Sequence, residues 1–323
     1  MRVCIVEDDD SAWLKGFEEK LSERIELKVV EETDGSDQYE ILVTGLPERE
    51  QIENHPELKS LIIPWAGVPG KTRRLMLDYP QISVHNLHHN AVPVAESAVA
   101  LMISAARRIH QVDRCLRKGD WSPRYMPRLS FTMLTGRTAV ILGYGQIGRE
   151  IARRLKGLDM NVVGIKRTIE DDHDKYAQLY SQDRFREILP RAEVLIISLP
   201  LTDDTKGLIG ESELKQLPPK AILINIARGP IVVEEALFTA LKERRICAGL
   251  DVWYEYPREA DQRNNTFPGN LPFHELDNII MTPHMAEHSD GTEELLRIHL
   301  ATLLNEAAEG KPMSNRVDIV RGY

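Results

Sequence analysis

The stretch TAVILGYGQIGREIARRL, residues 138–155, restricts the fold of this chain more than any other. An apolar, strand-like run meets three glycines, and a helix-period pattern follows at once. Gly143, Gly145 and Gly148 keep the G-x-G-x-x-G spacing. That spacing is weak by itself and gains meaning only between a strand and a helix, which is its setting here. The first glycine permits a tight turn, the second lets a pyrophosphate approach the backbone, and the third lets helix and strand pack closely. The free N–H groups at the helix start then face an anion. A dinucleotide site is therefore expected, a ligand-free strand–helix turn being the bland alternative.

The end of the next strand bears on which dinucleotide binds. An acid there usually holds the ribose hydroxyls of NAD. This chain instead reads NVVGIKRT, with Lys166 and Arg167 and no acid. Two cations suit a 2′-phosphate, so NADP(H) is expected over NAD(H), with NAD(H) still admissible. Solvated surface charge is the competing explanation of the pair.

Around this motif, short apolar runs alternate with helix-period segments, the rhythm of parallel sheets covered on both faces. RVCIV, ELKVV, EILVTG, LKSLIIP and ISVHN read as strands of a first α/β unit, with AWLKGFEEKLSER as an amphipathic helix after RVCIV. Asp8 to Asp10 are expected to cap that helix. CIVEDDD also resembles the first strand of a response-regulator receiver, but EILVTG lacks the phosphoacceptor Asp a receiver needs. PVAESAVALMISAARRI reads as one long helix opened by Pro93. A second series follows it, ending with NIIMTPH, and the closing helix GTEELLRIHLATLLNEAAEG stops at Gly310 before Pro312. Boundaries fall near residue 96 and near residue 286, leaving the last helix to return to the first unit.

With 323 residues the chain has room for two cores. A net charge of −9 argues against binding nucleic acid through phosphate neutralisation. No apolar run approaches the roughly 20 residues of a membrane helix. With no signal peptide seen, the protein is expected in the cytoplasm, with Cys4, Cys115 and Cys247 reduced and buried. No metal site is expected.

Three further stretches, INIARGPIVVEEAL, AGLDVWYEYP and NIIMTPHMA, follow the glycine motif in order. With LPLTDDTKGLIG and VPVAESAVALMISAARRI they resemble the D-isomer-specific 2-hydroxyacid dehydrogenases over nearly all of residues 58–320. The resemblance implies two doubly wound α/β domains: a Rossmann-like coenzyme domain, 97–286, inserted in a flavodoxin-like substrate domain made of 1–96 and 287–323. It implies an oxidoreductase that moves a hydride between NADP(H) and a small 2-oxo or 2-hydroxy acid of the glyoxylate or hydroxypyruvate kind. A homodimer formed through the long helix is implied as well. A non-catalytic dinucleotide sensor of the corepressor type is the alternative.

Site residues follow by resemblance. Arg228 matches the arginine that anchors the substrate, and a guanidinium fork suits a carboxylate beside a carbonyl. His284 matches the acid–base histidine, whose ordinary pKa lets it donate a proton near neutrality. Asp251 matches a strand-end acid on the nicotinamide side. Pro200 and the backbone at Gln146 and Ile147 should meet the cofactor. Trp65, Ala66, Gly67 and Val68 match the loop whose main-chain N–H groups hold the substrate carboxylate. His85, His88 and His89 read as loop residues.

One position departs from the family. Its acid stands five residues after the Asp, where this chain has Tyr256, and Glu255 stands one place early. On an extended segment neighbouring side chains point opposite ways. Either a turn brings Glu255 to His284, or Tyr256 serves as a neutral partner, or Glu275 reaches in from the next loop. Tyr256 is favoured narrowly.

Overall fold

Strands whose every residue is apolar must be covered on both faces, and in this chain they are. The structure, a computed structural model, describes residues 1–6, 16–30, 38–127, 131–169 and 171–322. It divides into two compact units, Met1–Asn90 with His288–Tyr323, and Ala91–Glu287.

In the first unit β1 (Arg2–Val6), β2 (Glu26–Val30), β3 (Ile41–Val43), β4 (Ser60–Ile63) and β5 (Ser83–Asn86) are all parallel, in the order β2-β1-β3-β4-β5. This is the flavodoxin-like doubly wound order. Alternate residues face opposite ways. Val3, Ile5, Val43 and Ile62 pack with Leu300, Ala301, Leu303 and Leu304 of the last helix, α9 (Thr292–Ala308). Cys4, Leu42, Leu61 and Ile63 pack with Ile52 of α1 (Glu50–Glu53) and Met76 of α2 (Gly70–Met76).

The second unit opens with α3 (Ala91–Arg107) and α4 (Ile109–Leu116). Then come β6 (Thr138–Leu142), α5 (Gln146–Lys156), β7 (Asn161–Lys166), β8 (His173–Asp174), β9 (Ala177–Ser181), α6 (Phe185–Ile188) and β10 (Val194–Ile197). It closes with α7 (Glu211–Gln216), β11 (Ala221–Asn225), α8 (Glu234–Lys242), β12 (Ile246–Leu250) and β13 (Ile279–Met281). The sheet order is β13-β12-β11-β10-β6-β7-β9-β8, with only β8 antiparallel. Taken without β8, this is the Rossmann order, extended by one strand. Leu101 and Met102 of α3 and Ile151 of α5 cover Ile141, Ile196 and Ile224 on one face. Phe185, Leu214 and Leu237 of the helices α6, α7 and α8 cover Leu142, Leu195 and Leu223 on the other.

Several local readings change. The boundary falls at Asn90 and Ala91 rather than after residue 96, because Val94 and Ala95 at the start of α3 belong to the second core. The helix expected over residues 93–109 is α3, which ends at Arg107; Arg108 adopts a left-handed conformation, φ 51°, and a further helix, α4, follows it. Gly16 has φ 83°, and among the described residues of the expected helix there is a short 3₁₀ turn at Glu18–Lys20. Asp8 to Asp10 lie outside the described residues. His85 is a buried strand residue of β5, its Nδ1 2.8 Å from the carbonyl of Ser314, rather than a loop residue. Cys115 and Cys247 are only partly buried, unlike Cys4. Among the described residues no helix is long and apolar enough to cross a membrane.

The seating of α3 is tight. A Cβ on Gly249 in β12 would lie 2.9 Å from Leu101 Cβ and 3.0 Å from Ile224 Cδ1. Gly249→Val should therefore destabilise the protein by about 1–3 kcal/mol, read as a lowered thermal midpoint.

Candidate active site

Two groups of residues gather at the C-terminal edge of the second sheet, where open α/β sheets place their ligands. The first is the glycine turn between β6 and α5. Gly143 has φ 104°, and a Cβ there would lie 2.7 Å from the Ser198 carbonyl oxygen. Ser198 follows β10, so the turn sits where strand order reverses. The Ser198 hydroxyl donates to the Gly143 carbonyl at 2.6 Å. A Cβ on Gly148 would stand 2.3 Å from the same carbonyl oxygen, so only glycine lets α5 sit on the turn. Gly145 is different: no atom lies within 4 Å of where its Cβ would be. No side chain caps α5, whose first residues are Gln146 and Ile147. An open, uncapped helix start with free backbone donors fits a dinucleotide diphosphate.

Tyr144 fills the floor of this turn. Gly164 makes the room, since a Cβ there would meet Tyr144 Cδ2 at 2.4 Å. The phenol donates to Asp174 Oδ1 at 3.0 Å. Burial, with the Asp174 carboxylate beside it, pushes the Tyr144 pKa far above its ordinary value. Arg149, also on α5, donates to Asp174 Oδ2 at 2.9 Å. Lys166 ends β7 and Arg167 follows it, both with exposed side chains. Pro200 lies two residues past Ser198 and is half-buried, its carbonyl accepting from Thr205 Oγ1 at 2.7 Å.

The second group follows three neighbouring strands, β11, β12 and β13. Arg228 comes just after β11 on a loop that Asn225 closes. The Asn225 amide donates to the Arg228 carbonyl at 3.1 Å and accepts from the Ala227 N–H at 3.0 Å. The Arg228 side chain is exposed and donates to the Ala227 carbonyl at 2.6 Å. Gly229 lets that loop touch the next, as a Cβ on it would lie 2.2 Å from the Trp253 carbonyl oxygen.

Asp251 ends β12 and is 1% exposed. It accepts from Thr282 Oγ1 at 2.6 Å, from the Met285 N–H at 3.0 Å and from the Ala286 N–H at 2.9 Å. These bonds give Asp251 a structural duty, tying down the turn after β13. At the top of that turn His284 is exposed and left-handed, φ 56°. Such a conformation costs about 1–3 kcal/mol in a non-glycine residue.

The Tyr256 ring lies beside His284, centroids 5.5 Å apart and planes tilted by 55°. Its oxygen accepts the Trp253 main-chain N–H at 3.0 Å. Burial raises the Tyr256 pKa, and the Trp253 amide and the Arg228 charge offset part of that rise. Glu255 is exposed, its own N–H donating to the Pro268 carbonyl at 3.1 Å. Glu275 is exposed too. Arg228, Asp251, Tyr256 and His284 therefore cluster.

Trp65, Ala66, Gly67 and Val68 belong to the first unit, between β4 and α2. The Trp65 ring lies over Gly45, where a Cβ would meet it at 1.9 Å. The Asn86 amide donates to the Ala66 carbonyl at 2.6 Å and orders the loop. Asn225, Ser198, Trp253 and Thr282 escape sequence reasoning, though Thr282 and Trp253 lie inside the very motifs that reveal Asp251 and His284.

A family model described as D-isomer specific 2-hydroxyacid dehydrogenase, NAD binding domain, matches residues 99–286. A glyoxylate reductase of Pyrococcus horikoshii is 32% identical over 308 residues, 90% of this chain and 85% of that protein. The chain belongs to the D-isomer specific 2-hydroxyacid dehydrogenase family. Members of this family are oxidoreductases acting on CH–OH groups, with a nicotinamide cofactor on the domain that matches. A D-3-phosphoglycerate dehydrogenase of Archaeoglobus fulgidus is also 32% identical, over 71% of this chain but only 41% of its own length. Among solved structures, a D-isomer specific 2-hydroxyacid dehydrogenase from Xanthobacter autotrophicus, in complex with NADPH and MES, superposes over 100% of this chain and 99% of its own with a TM-score of 0.81 at 24% identity. An NADPH-dependent glyoxylate/hydroxypyruvate reductase from Sinorhizobium meliloti, in complex with NADP and sulfate, covers the same shares with a TM-score of 0.77 at 20% identity.

The cradle can be tested without a substrate. Gly145→Val places its side chain in open space, so the thermal midpoint should stay near wild type while dinucleotide binding, followed by nucleotide fluorescence, weakens at least about tenfold. Gly148→Val should instead lower the midpoint. Equal destabilisation by the two would remove the distinction.

Proposed function

We propose that this protein reduces a small 2-oxo acid with NADPH. The observation that carries the reading is the cluster of Arg228, Tyr256 and His284 on the sheet edge that also bears the open glycine cradle. The nicotinamide supplies the hydride when bound; the protein's own residues bind the acid and manage the proton. Arg228 offers two parallel N–H donors to the carboxylate and the adjacent carbonyl oxygen, polarising the carbon that accepts hydride. His284 donates the proton the new alkoxide needs, an effect worth about 10²–10⁴ in rate. The main-chain N–H groups of Trp65 to Val68 are assigned the carboxylate's remaining oxygen.

Gly143, Gly145, Gly148, Gln146 and Ile147 are assigned to the diphosphate, Pro200 and Asp251 to the nicotinamide half. Lys166 and Arg167 stand exposed where a 2′-phosphate belongs and support NADP(H). The Xanthobacter and Sinorhizobium proteins, solved with NADPH and NADP, agree with this at fold level. Glyoxylate and hydroxypyruvate are the first substrates to try. The units Met1–Asn90 with His288–Tyr323, and Ala91–Glu287, are read as substrate and coenzyme domains. A homodimer is part of the reading, because Ile109, Leu116, Trp121, Tyr125 and Met133 leave an apolar surface on and after α4.

Purified protein followed at 340 nm with NADPH and a panel of 2-oxo acids tests this directly. His284→Gln should lower kcat about 10²–10⁴-fold. Glu255→Gln should stay within a few-fold of wild type. No consumption of NADPH or NADH with any 2-oxo acid would overturn the enzyme reading in favour of a dinucleotide sensor, and equal KM values for NADPH and NADH would end the cofactor preference. The pH profile adds a sign. Reduction uses imidazolium, so it persists below the His284 pKa and fades above it. Tyr256→Glu should move that fall-off to higher pH, because a carboxylate favours the charged ring.

A further inference from the structure

The acid–base pair is built from two loops, and one residue reaches both. Trp253 is 4% exposed, with its ring edge-on to Phe273 at 6.1 Å between centroids. Its indole N–H donates to the Thr282 carbonyl at 2.8 Å, two residues before His284. Its main-chain N–H donates to the Tyr256 oxygen at 3.0 Å. Its carbonyl lies against Gly229, next to Arg228, closely enough that no other residue fits there. We infer that Trp253 is the positioning residue of this site, fixing the separation of Tyr256 and His284. The inference rests on the proposed reaction and deepens it.

The geometry requires such a device. Asp251 holds the turn on the far side of His284, through Met285 and Ala286, and on the near side through the Thr282 hydroxyl. The Thr282 carbonyl belongs to the peptide that leads into Pro283 and then into the left-handed His284. The indole N–H fixes that peptide's orientation, and the entry angle of the histidine follows from it. On the other loop, the Trp253 amide takes one lone pair of the Tyr256 oxygen. The phenol ring is thereby held at one end, with the imidazole ring beside it at 5.5 Å between centroids. A ring that only filled space would not need the indole contact, whereas the contact to Tyr256 comes from the main chain and is independent of the side chain.

Trp253→Phe keeps the packing against Phe273 and the main-chain N–H but removes the indole donor. It should lower kcat roughly ten- to a hundredfold, as small misplacements of catalytic groups do, with the KM for the dinucleotide unchanged. Since Trp253 acts through the pair, Trp253→Phe combined with Tyr256→Phe should lose little more than the worse single variant. If Trp253→Phe folds poorly, benzothienylalanine at this one position deletes the same N–H at nearly constant volume. A second arm needs no substrate. By NMR in the cofactor-free protein, identified by its loss in His284→Gln, the His284 titration midpoint should shift in Trp253→Phe in the same direction as in Tyr256→Phe. Losses that multiply in the double variant, or an unshifted His284 midpoint in Trp253→Phe, would overturn the inference. A protein that reduces no 2-oxo acid would sink the proposed reaction alone, and the NMR arm would still decide the role of Trp253.

Discussion

The buried carboxylate of Asp251 is the interaction on which the site depends. It ends β12 and receives three hydrogen bonds from the turn that follows β13. Hydrogen bonds to a charged group contribute about 1.5–3 kcal/mol each. The left-handed backbone of His284 costs about 1–3 kcal/mol, so the three bonds can offset it with margin. The parallel register of β12 and β13, Leu250 opposite Met281, brings the carboxylate and the turn to the same level. A stretched connection could not keep an imidazole in one orientation, whereas this one has its peptide planes fixed on both sides of the ring.

The two groups of site residues use the same device in different forms. At the glycine turn and at Gly229, a missing Cβ lets one backbone segment lie directly on another. Gly148 against Gly143 seats α5, and Gly229 against Trp253 brings the loop after β11 onto the loop after β12. Gly145 has no such contact, and the space beside it is open. Steric absence therefore has two roles within one sheet edge, and the surrounding atoms tell them apart: crowded glycines shape the protein, and an uncrowded one leaves space for something else.

Much of this was legible in the sequence, and the failures have physical causes. Apolar runs alternating with helix-period segments let two parallel-sheet units be expected, while their strand orders come only with the family resemblance. The short β8–β9 pairing could not, because two polar residues at His173–Asp174 carry no period. Arg108 gives no sign in sequence of its positive φ, so α4, beyond the helix end expected at residue 109, is not legible there. At the position of the family's acid the expectation from alternation, Glu255 facing away and Tyr256 beside His284, matches the structure, although the backbone reaches that arrangement by another route. That rule assumes an extended chain, but the segment after Asp251 folds back, with the Tyr256 oxygen receiving the amide of Trp253 three residues earlier. The residue at the family's position thus arrives beside the histidine, while Glu255 turns to solvent.

The exchange of carboxylate for phenol also fits the charges already present. The Asp251 carboxylate and the Arg228 guanidinium act on the Tyr256 phenol in opposite senses, the first raising its pKa and the second lowering it. A second carboxylate at position 256 would add like charge within reach of Asp251, whose negative charge the turn requires. A phenol adds none and keeps its hydrogen. What it gives up is Coulombic support for imidazolium, since a neutral oxygen stabilises that cation less than a carboxylate does. The hydrogen bonds to Asp251 and from the Trp253 indole hold the turn that carries the histidine.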